Sequence, residues 1–208
     1  MYNLPIFKEL DQTEIMEFLH QRPFALITCQ GVDGKPVATQ VPVLFDVRDG
    51  KLILTGHVMR GTDHWHGFTA NPDVLVVFTG PNCHVCASWY SNKNSGGTWN
   101  YMSVHARGTL TFLDQSALPE VLRRLTNQFE NDPESGANFE DLADDYVAKM
   151  LPAIQAFEIT VTDLDAVFKL SQNRDAESYD NIISMLSERG GDSKTIAEEL
   201  TKRRSKLF

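Results

Sequence analysis

The chain has 208 residues, a formal net charge of −9, 42% hydrophobic residues and 23% charged ones. That length buries enough apolar surface for one domain, or one domain with an appendage, without disulfide staples. The acidic balance argues against strong non-specific binding to nucleic acid or anionic membrane, and no apolar run approaches the roughly 20 residues of a membrane helix.

The first residues, MYNLPIFKELDQTE, lack a basic stretch followed by an apolar core. A cytoplasmic location is therefore expected, with Cys29, Cys83 and Cys86 as reduced thiols. Asp11-Gln12-Thr13-Glu14 has the form of a capping box, and Ile15, Phe18 and Leu19 mark the inner face of a short helix ended by Pro23. The texture then changes to strands. FALITCQ, PVATQVPVLFD and KLILTG are expected as the first three, with Arg48-Asp49-Gly50 as a hairpin turn. Val37, Thr39, Val41, Val43 and Phe45 share one face at period two. Residues 62–70 read as a short helix and DVLVVFTG as a fourth strand. NCHVCASWY and YMSVHARGTLTFL follow as strands, separated by the polar loop SNKNSGGT.

Residues 116–130 are expected to be helical, with Leu118, Val121, Leu122 and Leu125 inward, and 139–151 as a second helix. AIQAFEITVTDLDAVFKL returns to strand, and a helical pair hinged at Gly190-Gly191 closes the sequence. Hairpin-linked strands with late helices indicate an α+β fold on an antiparallel sheet or barrel. With no G-x-G-x-x-G, no P-loop and no βαβ alternation, a Rossmann fold is not expected.

Cys83-His84-Val85-Cys86 spells C-x-x-C, but in a strand-like run. Residues i and i+3 of a strand face opposite ways, so these thiols are not expected to meet as a dithiol or on one zinc. A structural zinc site also needs a second ligand pair, and no other C-x-x-C or C-x-x-H is present.

The surrounding letters carry a resemblance. GPNCHVCASWY followed by TWNYMSVHARG, together with ATQVPVLFD, LTGHVMRGTDHW and FKLSQNR, resembles the PaiB family, in order and over about residues 1 to 190. The chain departs from the family pattern in two places. Asn82-Cys83-His84-Val85-Cys86-Ala87 stands where the family has His-Ala-Tyr-Ile-Ser-Pro, and Gly61-Thr62-Asp63-His64 replaces Ala-Asn-Pro-Gln beside the retained Arg60 and Trp65.

The resemblance implies an antiparallel six-stranded split β-barrel of the FMN-binding type, related to pyridoxamine-phosphate oxidases, with peripheral helices. The barrel domain would span 1–173, with inserted helices at about 116–151, and 174–208 would be a helical appendage. It implies FMN as cofactor, a homodimer with FMN at the interface, and a regulatory role in transcription. Thr55, His57 and Arg60 would serve the phosphate, since phosphate wants hydroxyl and cationic donors. Trp65, Trp99, Asn100, Tyr101 and His105 would line the flavin, and Thr39 and Gln40 would meet its edge. Ser171, Gln172 and Asn173 would approach from the partner subunit. The alternatives stay open. The tryptophans also read as core aromatics, Arg60 as a partner of Asp63, and His105 as a packing histidine. The chain could equally be a flavin-dependent oxidoreductase acting on a small molecule, or a flavin-free dimeric scaffold. DNA is a partner only if the basic C-terminal end reads it.

Overall fold

The computed structural model describes residues 1–208. The chain is α+β, with seven strands and six α-helices. The strands are β1 (Phe24–Gln30), β2 (Pro36–Pro42), β3 (Leu44–Arg48), β4 (Lys51–Met59), β5 (Asp73–Val85), β6 (Thr98–Phe112) and β7 (Ile154–Lys169). The helices are α1 (Gln12–Gln21), α2 (Asp63–Ala70), α3 (Leu118–Glu130), α4 (Asp144–Met150), α5 (Ala176–Ser187) and α6 (Gly191–Leu207). The strands hydrogen-bond in the order β2-β1-β5-β6-β7-β4-β3. The pairs β1–β2, β1–β5, β3–β4 and β4–β7 are antiparallel. The sheet has seven strands, not the six expected, and it divides the sequence differently from the expected runs.

Two of those divisions have clear causes. PVATQVPVLFD is two strands, because Pro42 has no N–H with which to continue the ladder. β2 pairs with β1 as far as Pro42, Val43 donates its N–H to Pro23, and from Leu44 the chain pairs with β4. DVLVVFTG and NCHV, in contrast, are one continuous strand through Gly80-Pro81. The glycine there is needed for packing, since a Cβ on Gly80 would lie 2.5 Å from the Phe18 ring.

The chain forms two compact units. The first comprises Met1–Leu19, Thr79–Val104 and Asp165–Phe208. In it Phe18 stacks on Phe168 at 5.3 Å. Asp11 caps α1 by accepting from Thr13 N at 2.9 Å, but Glu14 does not complete a capping box. Its carboxylate instead takes Lys202 and Arg203 of α6, and Arg203 also reaches Glu9. Helices α5 and α6 pack together, with the buried Tyr179 hydroxyl donating to Leu200 O.

The second unit comprises His20–Phe78 and His105–Leu164. Its β3–β4 hairpin turns at Asp49 and Gly50, whose positive φ values of 52° and 73° match the right-handed strand twist. Helix α3 buries Leu118, Val121, Leu122 and Leu125 against Leu44, Ile154 and Ala156, the inward face expected from its spacing. Arg124 of that helix grips Asp46 of β3 through two bonds of 2.9 and 3.0 Å. The expected helix over 139–151 is shorter: α4 covers Asp144–Met150 and lies between two 3-10 turns. None of its residues is fully buried, but Met150 packs against the cluster under α3.

Candidate functional site

The expected site residues fall in both units. In the second unit, Thr55 and His57 lie on β4, two residues apart and therefore on one face. Thr55 is 1% exposed, and its hydroxyl has no partner. The half-buried His57 also leaves its Nδ1 unpartnered, and burial pulls its pKa below 6.5. Arg60, in the turn after β4, does not pair with Asp63. Its Nε donates to Ile154 O at 3.0 Å, an Nη donates to Gln115, and its backbone N–H bonds Ala153 O. The guanidinium is therefore held by neutral acceptors and its charge is left uncompensated.

Helix α2 opens beside it. Thr62 is the N-cap, and its hydroxyl accepts from Trp65 N at 3.3 Å and donates to Met59 O at 3.1 Å. Trp65 packs against Phe112, and its indole N–H is a buried donor without a partner. Thr39 and Gln40 lie on β2 opposite Ile27 and Leu26, half-buried and exposed respectively. His105 sits half-buried on β6. An open cleft of about 630 Å³, lined in part by Cys29, Asp73, Arg107 and Thr162, contains none of these residues.

In the first unit, Trp99, Asn100 and Tyr101 are consecutive on β6. Trp99 is 56% exposed, with its ring 5.7 Å from that of His84. Asn100 is fully buried: its Oδ1 accepts from the Ser171 hydroxyl at 3.0 Å, while its Nδ2 has no partner. Tyr101 is half-buried, which raises its phenol pKa. Ser171 adopts a left-handed φ of 60°. Gln172 turns back onto the backbone of Phe168 and Leu170, and Asn173 is exposed. So Ser171 joins Asn100, Gln172 serves the local turn, and Asn173 has no side-chain bond.

Cys83 and Cys86 are free and sit in different surroundings. Cys83 is buried, which pushes its thiol up to about 11. Cys86 lies past the strand end, 3.4 Å from an Arg189 nitrogen.

Residues 1–163 match the model of a family described as "Putative FMN-binding domain". The chain is 35% identical over 199 residues, 95% of each sequence, to the protease synthase and sporulation protein PAI 2 of Bacillus subtilis (strain 168). The chain belongs to the PaiB family. An uncharacterized protein of Emericella nidulans is 27% identical over 151 residues, 65% of this chain and 60% of that one. Two solved structures show the fold. The FAD and heme binding protein from Mycobacterium smegmatis is 21% identical with a TM-score of 0.59, covering 78% of this chain and 73% of that one. The flavocytochrome Anf3 from Azotobacter vinelandii is 17% identical with a TM-score of 0.58, covering 81% and 72%.

FMN is the cofactor of this PaiB-family domain. The residues present fit it. A phosphate would give the free Thr55 hydroxyl, the His57 nitrogen and the Arg60 charge what they lack. Three further residues lie in the quoted stretches FKLSQNR and GPNCHVCASWY but carried no role there. Lys169 ends β7 almost wholly buried, Arg174 places its Cζ 3.9 Å from the centre of the Tyr90 ring, and the buried Tyr90 hydroxyl is unpartnered. The available signal was a lysine closing an apolar strand run, AVFK, where a surface turn would leave it exposed.

Proposed function

We propose that the chain works as a homodimer holding FMN at the subunit interface of a split barrel, and that it has a regulatory role. Thr55, His57 and Arg60 take the phosphate. The observation that carries this reading is the set of buried, unpartnered polar atoms at Thr55, His57 and Trp65, since a folded chain rarely leaves such groups without a ligand to satisfy them. Arg60 also lines an open cleft of about 590 Å³ with Gln115, Leu151 and Pro152, which leaves room beside its guanidinium for a phosphate. When bound, FMN supplies the redox chemistry, and the protein orients it and sets its surroundings.

The regulatory part rests on kinship with the sporulation protein. Direct DNA reading by α5 and α6 is disfavoured, because Lys202, Arg203 and Arg204 are all engaged by Glu14, Glu9 and Asp180. The test is a titration of flavin-free protein with FMN, followed by flavin fluorescence, beside sedimentation to count protomers. One FMN per protomer in a dimer supports the proposal. Folded protein that ignores FMN overturns it.

The uncompensated cations Lys169 and Arg174 favour a second reading, a flavin-dependent oxidoreductase acting on a small acid. Bleaching of bound flavin by NAD(P)H, and its recovery on adding a candidate acid, would select it.

A further inference from the structure

We propose that the first unit carries a binding site for a small carboxylate, built from Lys169, Arg174, Asn100 and Tyr90. Charge balance is the first argument. Several cations of this unit meet acids: Lys8 pairs with Asp165, Lys202 with Glu14, Arg203 with Glu9 and Glu14, and Arg204 with Asp180, while the exposed Lys93 and Arg189 bond carbonyls at the surface. Lys169 is only 8% exposed, yet it has neutral partners alone, Trp99 O at 2.7 Å and the Thr98 hydroxyl, with the Tyr2 and Phe7 rings each 5.8 Å away. Burying an ammonium beside neutral acceptors is costly and disfavours its charged form. Its pKa is accordingly lowered, by burial first and by the Arg174 charge second. Two cations repelling each other in an acidic protein are what an anion would reconcile.

Hydrogen-bond capacity is the second argument. Arg174 Nε, Asn100 Nδ2 and the Tyr90 hydroxyl are buried and unpartnered, and Asn100 and Tyr90 are 0% and 1% exposed. Two of these groups, like the ammonium, can only donate, and the phenol can donate. The complementary ligand group offers acceptors and negative charge.

The turn holds the parts together. Ser171 ties its hydroxyl to Asn100, and its carbonyl accepts from Arg174 N at 3.0 Å, so Lys169 and Arg174 flank one strained residue. The nearest acid in sequence, Asp175, is committed to capping α5, accepting from Ser178 N, Ser178 Oγ and Ser91 Oγ. The guanidinium held over Tyr90 suits a planar acceptor pair, and the exposed Trp99 ring offers a surface for a planar body.

The site does not need FMN to be bound, so the test separates it from the cofactor reading. Flavin-free protein is titrated calorimetrically with benzoate, with its neutral counterpart benzamide and with inorganic phosphate, using wild type, Arg174→Gln and Arg174→Lys. Benzoate should bind, benzamide should not, and Arg174→Gln should weaken benzoate at least about tenfold. Arg174→Lys keeps the charge without the fork and should fall between the two, so it serves if the glutamine variant does not fold. Displacement of benzoate by FMN would overturn the proposal, because the site would then be the flavin's own. Equal binding of benzoate and benzamide, no benzoate binding at all, phosphate preferred over benzoate, or no effect of either Arg174 variant would overturn the proposal.

Discussion

Replacing Arg203 by methionine should untie the two ends of the sequence from each other. Its side chain is 12% exposed and holds Glu9 at 2.8 Å and Glu14 at 3.1 Å, which are themselves 13% and 15% exposed. Methionine keeps much of the apolar contact above the Phe168 ring but leaves the two carboxylates short of a partner. Glu14 retains Lys202 at 2.8 Å, whose bond is the main cause of its lowered pKa, while Glu9 loses its only cation. Removing one member of a buried ion pair costs roughly 3–5 kcal/mol, and the residual exposure and the surviving lysine place this case near 3 kcal/mol. For a chain of this size each kcal/mol is worth about 2–4 °C, so Tm should fall by about 6–12 °C. The assay is thermal unfolding by circular dichroism at neutral pH and low salt. The double variant with Glu9→Gln should recover about 1–2 kcal/mol of that loss, because the stranded carboxylate is gone. A fall under about 2 °C, or strict additivity in the cycle, would refute the idea that this network holds the first unit together.

Four further outcomes are expected. Arg60→Ala should weaken FMN binding by about tenfold or more in a fluorescence titration, since a charged hydrogen bond is worth roughly 1.5–3 kcal/mol. His57 is neutral when buried, so stability should be full above its ordinary value of 6.5 and decline as pH falls below it. His57→Gln should remove that slope from denaturation midpoints measured across the range. Gly108→Ala should destabilise by about 3 kcal/mol or prevent folding, because the new Cβ would lie 2.3 Å from Thr160 O. Asp175 is held at about 2 by Ser178 and Ser91, so its contribution is present above 3.8 and lost as pH falls toward 2. Asp175→Asn should flatten that acid limb.

Local patterns carried much of the architecture. The spacing of Leu118, Val121, Leu122 and Leu125 told which face of α3 is inward, and Asp49-Gly50 told where β3 turns into β4. Partner exchange was not legible. The alternation from Val37 to Phe45 runs unbroken across Pro42, because a strand can change neighbours without changing its period. Gly80-Pro81 reads as a turn by composition, yet it lies inside β5 for the sake of Phe18, a residue some sixty positions away. The site followed the same rule. Hydroxyl, imidazole and guanidinium side chains on and after β4 could be named from chemistry alone. Whether each is free or already engaged depends on residues such as Gln115 and Ile154, remote in sequence. Lys169 and Arg174 became visible only through the carboxylates they lack.

The two outermost strands of the sheet are guarded. β2 begins and ends with proline, and the five residues of β3 carry Asp46 and Arg48, engaged by Arg124 and Glu158. Proline has no N–H to offer an incoming strand, and charged side chains along a short edge oppose one. Both margins thus oppose growth of the sheet by edge-to-edge addition. Assembly of this chain is thereby steered toward side chains and faces, which can be specific in a way that a bare row of backbone donors and acceptors cannot.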